Sequence, residues 1–260
     1  MATPHPLVFA LLLAAAPAMA QDSMSKVSDD IRIAAGQPAG SLSTVSGDIE
    51  LGAGARTGSL TTVSGDIDID ARVAAGAAET VSGDINGDED VKLGDAETVS
   101  GDFRLGSRGE AGNVQTVSGD IRFGAGSRLS SAQTVSGDVF VDRGGRVAGS
   151  VQTVSGAIGL VGTEVAGDVV TYTGDVTVGI GSHVRGGLTV RKPKNNGGIN
   201  IIGIRFKKDP PRIIIGPDAR VDGALTFEHE VKLYVHRSAR IGTVSGATRI
   251  LFDTPRAPAD

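Results

Sequence analysis

The string TVSGDI recurs along this chain, with small variations, at an almost fixed spacing. Its glycine falls at Gly47, Gly65, Gly83, Gly101, Gly119, Gly137, Gly156 and Gly174, in steps of 18 residues with one step of 19. A period this short leaves few folds open. Each repeat is too small to bury an apolar face alone, so it must stack on its neighbours as one coil of a solenoid. Such a rod is a shape before it is an activity, so function has to be argued from particular residues.

Within a repeat the residues alternate with a period of two, the mark of a strand. Taken from the motif valine, the alternation places Val45, Gly47, Ile49 and Leu51 inside and Thr44, Ser46, Asp48 and Glu50 outside. The same assignment puts Val117, Gly119, Ile121 and Phe123 inside and makes Thr116 a solvent-facing neighbour of a core valine. A second apolar mark lies three residues before the motif valine, at Leu42, Leu60, Ala78, Ala96, Val114, Ala132 and Val151. A third follows it, at Val73, Val91, Leu129 and Val147. Three marks per coil predict three walls. Glycine-rich joints such as Gly52-Ala53-Gly54 and Gly124-Ala125-Gly126 are expected to turn the corners. Composition agrees, because aromatics at 3% can fill only a thin aliphatic core. The predicted fold is all-β: a single-stranded parallel β-helix of about 18 residues per coil with a triangular cross-section. It is expected to be right-handed, as crossovers between parallel strands are.

The chain reads as five segments: a signal peptide over 1–20, the repeat array over 21–190, a basic insertion over 191–212, further coils over 213–252 and a flexible tail over 253–260. Leu7 to Ala16 is apolar but too short to span a bilayer, and Ala18-Met19-Ala20 has the small-x-small form of a cleavage site. These features predict export to the periplasm, or secretion to the cell surface, with no transmembrane segment. The net charge of −5 argues against nucleic acid as a partner.

Four groups of residues invite a functional reading. The outward carboxylates Asp48, Asp66, Asp84, Asp102, Asp120 and Asp138 form a ladder that would bind calcium between coils or, as the favoured reading, accept backbone N–H groups at a turn. Thr and Ser ladders would present hydroxyls to a polysaccharide or satisfy one another. Glu228-His229-Glu230 with His236 is split between two faces if it lies on a strand, and His183 stands alone in a loop. Arg191, Lys192, Lys194, Arg205, Lys207 and Lys208 form a basic band, a candidate binding surface for acidic envelope polymers or for the acidic flank of another rod. No metal, cofactor or catalytic group is expected. At the chain's end Arg249-Ile250-Leu251-Phe252 is a largely apolar strand, so self-association is expected through that coil, while Gln21 to Asp30 forms a looser polar cap.

The VSGDI copies from about Ser41 to Val178 resemble a bacterial β-strand-repeat domain of unknown function of adhesin type. The segment IIIGPDARVDGALTF, with Ala239-Arg240-Ile241-Gly242, is similar to the bactofilins, polymer-forming cytoskeletal proteins. Both resemblances imply a parallel β-helix and neither implies catalysis. Bactofilins are cytoplasmic or membrane-associated, so a signal peptide departs from that pattern and moves a scaffold role to the envelope. The resulting expectation is an exported, non-enzymatic scaffold or adhesin-like protein. The alternatives are a β-helix that binds or cleaves polysaccharide, or an envelope signalling partner.

Overall fold

The structure is a computed structural model that describes residues 22–193 and 209–259. The predicted leader and most of the insertion, including Lys194, Arg205, Lys207 and Lys208, lie outside the described residues. Those that are described form a parallel β-solenoid of about 12 turns, with no helix.

Each coil contributes a rung to three walls. The first wall stacks Met24–Ser25, Leu42–Ser43 and Leu60–Thr61 and ends at Val244–Ser245. The second runs in 12 rungs from Ile31–Ile33 to Arg249–Phe252. The third begins as single bridges, Pro38 to Arg56 to Ala74 to Lys92 to Glu110, and continues to Arg240–Ile241. The register is 18 residues, as in Ile49 opposite Ile67 and Phe103 opposite Ile121. The 19-residue step is absorbed at a corner: Leu129 still faces Val147, but Ala132 faces Val151. The second and third apolar marks are buried, as are the Ile and Leu that follow the motif glycine, and the core is a column of Ile, Val, Leu and Ala with a tilted pair, Phe103 and Phe123, 5.3 Å apart. Burying one such aliphatic side chain stabilises the fold by roughly 1.5–3 kcal/mol, and each coil repeats that gain.

One expectation is overturned. The motif valines face solvent: Val45, Val63, Val81, Val99 and Val117 are each 42–46% exposed. The motif threonines Thr44, Thr62, Thr80, Thr98, Thr116, Thr134, Thr153 and Thr171 are buried. The chain turns at the Val–Ser step, so two consecutive residues point outward and the alternation changes phase across the corner. Gly, Ile and Leu after the corner keep the predicted inward orientation, whereas Thr and Val before it exchange places.

The reason lies in a single missing backbone bond. At the corner Ser64 N–H still donates to Val45 O (2.9 Å), as a parallel ladder requires. Two residues on, the N–H of Asp66 would next meet Gly47 O. Instead it donates to Asp48 Oδ1 (2.9 Å), while Thr62 Oγ1 donates to Gly47 O (3.1 Å). Both substitutions recur coil after coil, for example Thr98 to Gly83 O (3.2 Å) and Asp102 N–H to Asp84 Oδ1 (2.8 Å). The motif thus satisfies one orphan carbonyl and one orphan N–H with two side chains. The glycine is fixed by space rather than by φ: a Cβ on Gly119 would lie 1.8 Å from Gly101 O.

The next corner of the coil has a left-handed residue, Gly54 (φ 73°) or Gly126 (φ 74°) in most coils, as the glycine joints predict. Three consecutive coils place Arg72, Asp90 and Arg108 there at φ 57–61°. Arg108 forks onto Asp90 with two contacts of 2.7 Å, which holds that carboxyl below the usual aspartate range. The expected last motif copy, Thr243 to Ala247, is out of phase with the others. Its Val244 pairs with Leu225 and takes the first-wall core position rather than the exposed corner.

Two outcomes follow in denaturant melts. Gly119→Ala should lose about 3 kcal/mol or more, since backbone must move. Thr98→Val should lose roughly 1–3 kcal/mol by stranding the Gly83 carbonyl, whereas Val99→Thr beside it should be nearly neutral. Asp90 also sets an acid limb. Its depressed folded value means its contribution is present above the ordinary 3.8 and is lost as pH falls through the folded value. Asp90→Asn should therefore flatten the acid side of a stability-against-pH curve while leaving the neutral side level.

Candidate binding groove

The phase change at the corner leaves a line of apolar side chains on the surface. Val27, Val45, Val63, Val81, Val99, Val117, Val135 and Val154 succeed one another at the same corner position, and Tyr172 takes the ninth place. Two residues upstream in each coil a second outward line runs through Thr61, Glu79, Glu97, Gln115, Gln133 and Gln152. Between the lines lies a groove of about 610 Å3, floored by the motif threonines and ending at Tyr172. It runs along the rod from Val63 to Tyr172, six coil steps, or about 29 Å at the usual strand spacing.

The groove is positioned by the substitutions that build the corner. Thr inside and Val outside are one choice, because only the inward side chain can reach the glycine carbonyl. The chemistry of the groove changes along its length: acidic at Glu79 and Glu97, amide at Gln115, Gln133 and Gln152, aromatic at Tyr172.

The residues singled out from sequence fall elsewhere. Asp48, Asp66, Asp84, Asp102, Asp120 and Asp138 line up on the far side of the corner, and each gives Oδ1 to the backbone N–H of the next coil. Arg104 pairs with Asp84 (3.1 Å) and with Asp102, and Arg122 with Asp120 (2.6 Å), which offsets the repulsion within the ladder. In all six the arrangement is that of a backbone-accepting turn. Ala157, which stands where the other copies have aspartate, still donates its N–H to Asp138 Oδ1 (2.7 Å) but offers no carboxylate to the coil that follows.

Of the basic band, Arg191 and Lys192 are described and exposed. They sit at the same corner one coil beyond Tyr172, where the insertion leaves the rod: Arg191 N–H donates to Thr171 O (2.9 Å) and Lys192 N–H to Glu228 Oε2 (2.9 Å). The chain rejoins the ladder at Arg212, whose N–H takes Asp175 Oδ1 (2.9 Å). Glu228-His229-Glu230 lies on a bend, not a strand, and occupies this corner in the following coil. His229 Nε2 reaches 2.7 Å from Tyr172 O and its Nδ1 3.1 Å from Glu230 O, while His236 turns away to Ser238 Oγ (2.8 Å). The cluster is therefore divided, and His229 serves the carbonyl that the insertion leaves behind. His183 is on a strand rather than in a loop, 2.8 Å from Asp222 Oδ2. Its hydrogen bond, and then that of Arg220, holds the Asp222 carboxyl below its usual range.

Among the described residues no three metal-ligating side chains gather into one site, and no helix is long and apolar enough to cross a membrane. Comparison with protein-family models, with curated proteins and with solved structures gives no match.

The sequence reading missed the groove because it counted the valines as core. One signal was available: threonine is retained at every motif copy from Thr44 to Thr171, while the position before it varies from Ser43 through Thr61 and Glu79 to Gln152. The acceptor role of the aspartates gives a direct check. Asp84→Asn keeps Oδ1 and should melt near the parent, Asp84→Ala should cost about 1 kcal/mol, and added calcium should leave the melting temperature of all three unchanged.

Proposed function

We propose that this protein is an exported, non-enzymatic β-solenoid that serves the bacterial cell envelope as a scaffold or adhesin-like rod. The observation that carries the reading is the unbroken stacking itself. Twelve rungs of the second wall follow one another in parallel from Ile31 to Phe252. The same outward positions recur in every coil, so the rod offers extended lines of side chains rather than a cleft where acid, base and nucleophile converge. The apolar segment Leu7 to Ala16 and the Ala18-Met19-Ala20 cleavage pattern support export. The resemblances to an adhesin-type repeat and to the bactofilins support a structural role.

The rod's last coil supports assembly. Leu251 pairs in register with Val235, whose side chain is in the core, yet Leu251 is 58% exposed because no further coil among the described residues covers it. Ile250 beside it is also exposed. A bare core end with unpaired strand edge recruits another chain or a cap. The tail does not cover it but turns back along the side, where Pro258 O accepts a hydrogen bond from Arg212.

Fractionation of cells expressing the full chain, with mass spectrometry of the N-terminus, tests the export reading: a mature form beginning near Gln21 outside the cytoplasm is expected, and an uncleaved cytoplasmic protein would refute it. Sedimentation of the purified rod tests assembly. Larger species are expected at high concentration, and Leu251→Lys should remove those that form through the coil end.

A further inference from the structure

Several acidic side chains stacked on this rod are matched by an arginine of the same chain. Arg32 meets Glu50 (2.8 Å), Arg108 meets Asp90 and Glu89, Arg128 meets Glu110 (3.0 Å). Glu79 and Glu97 are different. They are register partners on the rim of the groove, and no ion pair among the described residues reaches either. The other half of the rim carries Gln115, Gln133 and Gln152, whose amides donate as well as accept. The rim is thus acidic at one end and donor-bearing at the other, and the valine ridge alongside is exposed from Val63 to Val117 and half-buried at Val135 and Val154.

The repeat of the ridge restricts what can lie in the groove. Valines on successive coils are about 4.8 Å apart along the rod, whereas an extended peptide laid along it presents one face every 6.6–6.8 Å or so and falls out of step within two coils. A second stack of parallel strands, laid flank to flank, has the same repeat and stays in step at every coil. Interdigitated identical side chains at this repeat form dry interfaces between sheets.

We propose that the groove is a self-recognition surface, in which two copies of this chain pack flank to flank and antiparallel about a two-fold axis at Val117. The axis lays valine ridge on valine ridge and rim on rim, so that the two grooves close over one another. Val99 then lies across from Val135, Val81 from Val154, and Val63 from Tyr172. The same order brings Glu97 to Gln133 and Glu79 to Gln152, so amide N–H groups donate to the unmatched carboxylates. A parallel pairing would instead bring the four glutamates to the same two levels. The shared strip, about 29 Å by 12 Å, covers roughly 350 Å2 per copy, under half of the ~800 Å2 of a standard interface. The association is therefore weak and concentration-dependent, and it is separate from any contact through the coil end.

The absence of cysteine from the chain permits a clean test on the full protein. Val117→Cys alone should form a disulfide-linked dimer on mild oxidation, because the axis brings that residue to itself. Val81→Cys alone should not, but mixed with Val154→Cys it should. In sedimentation equilibrium, Val99→Lys with Val135→Lys should weaken dimerisation by about tenfold or more, as a desolvated charge must. Circular dichroism and the melting temperature should be unchanged, since both side chains point outward. Leu251→Lys should leave the lateral dimer intact. Equal self-cross-linking of Val81→Cys and Val117→Cys would overturn the antiparallel arrangement. A chain that stays monomeric at every concentration, or that fills the groove with a linear glycan while monomeric, would overturn self-recognition altogether.

Discussion

One backbone hydrogen bond that cannot form organises this rod. Where the chain rounds the corner between the first and second walls, the N–H of Asp66 and the carbonyl of Gly47 miss each other. Burying both without partners would cost a few kcal/mol in every coil. A threonine hydroxyl and an aspartate carboxylate take their places, and a glycine lets the coils approach closely enough for both bonds. Because the carboxylate of one coil serves the next, each coil is completed only by its neighbour. Local geometry and long-range stacking are thereby the same interaction, which is why the motif recurs so strictly.

The same corner creates the surface. Turning at Val–Ser puts two residues outside in succession, and the first of them is β-branched and apolar. Eight valines stacked in line are a consequence of how the corner is closed, and the groove beside them follows from the alternation in the first wall. The rim is freer to vary than the core, and it does so in blocks, acids and then amides, while the threonines beneath do not change. The insertion and the Glu228-His229-Glu230 bend occupy the same corner beyond Tyr172, so the line of valines stops where the corner chemistry stops.

Much of this was legible in the sequence. The period gave the coil, the three apolar marks gave three walls, and the glycine-rich joints around Gly54 and Gly126 marked a corner. The aspartate ladder was readable as a turn device because aspartate after glycine has a standard local use. What misled was hydrophobicity: between valine and threonine in a strand pattern, valine is the natural choice for the core. The odd spacing from Leu42 to Val45 shows that the alternation must break somewhere in between or just after, but no propensity says on which side of threonine.

The chain's own repeat therefore determined the architecture, since an 18-residue unit with strand alternation can bury its apolar marks only by stacking. Which residues face inward at the motif was decided by tertiary structure alone. The acceptor that draws Thr62 inside is Gly47 O, 15 residues earlier in sequence but directly beneath it in the stack. That carbonyl becomes an orphan only when two coils are laid together, so no reading of a single coil shows that a hydroxyl is needed in the core. Satisfying a buried carbonyl outweighs the modest gain of burying valine in place of threonine, and the valine, displaced, becomes the surface.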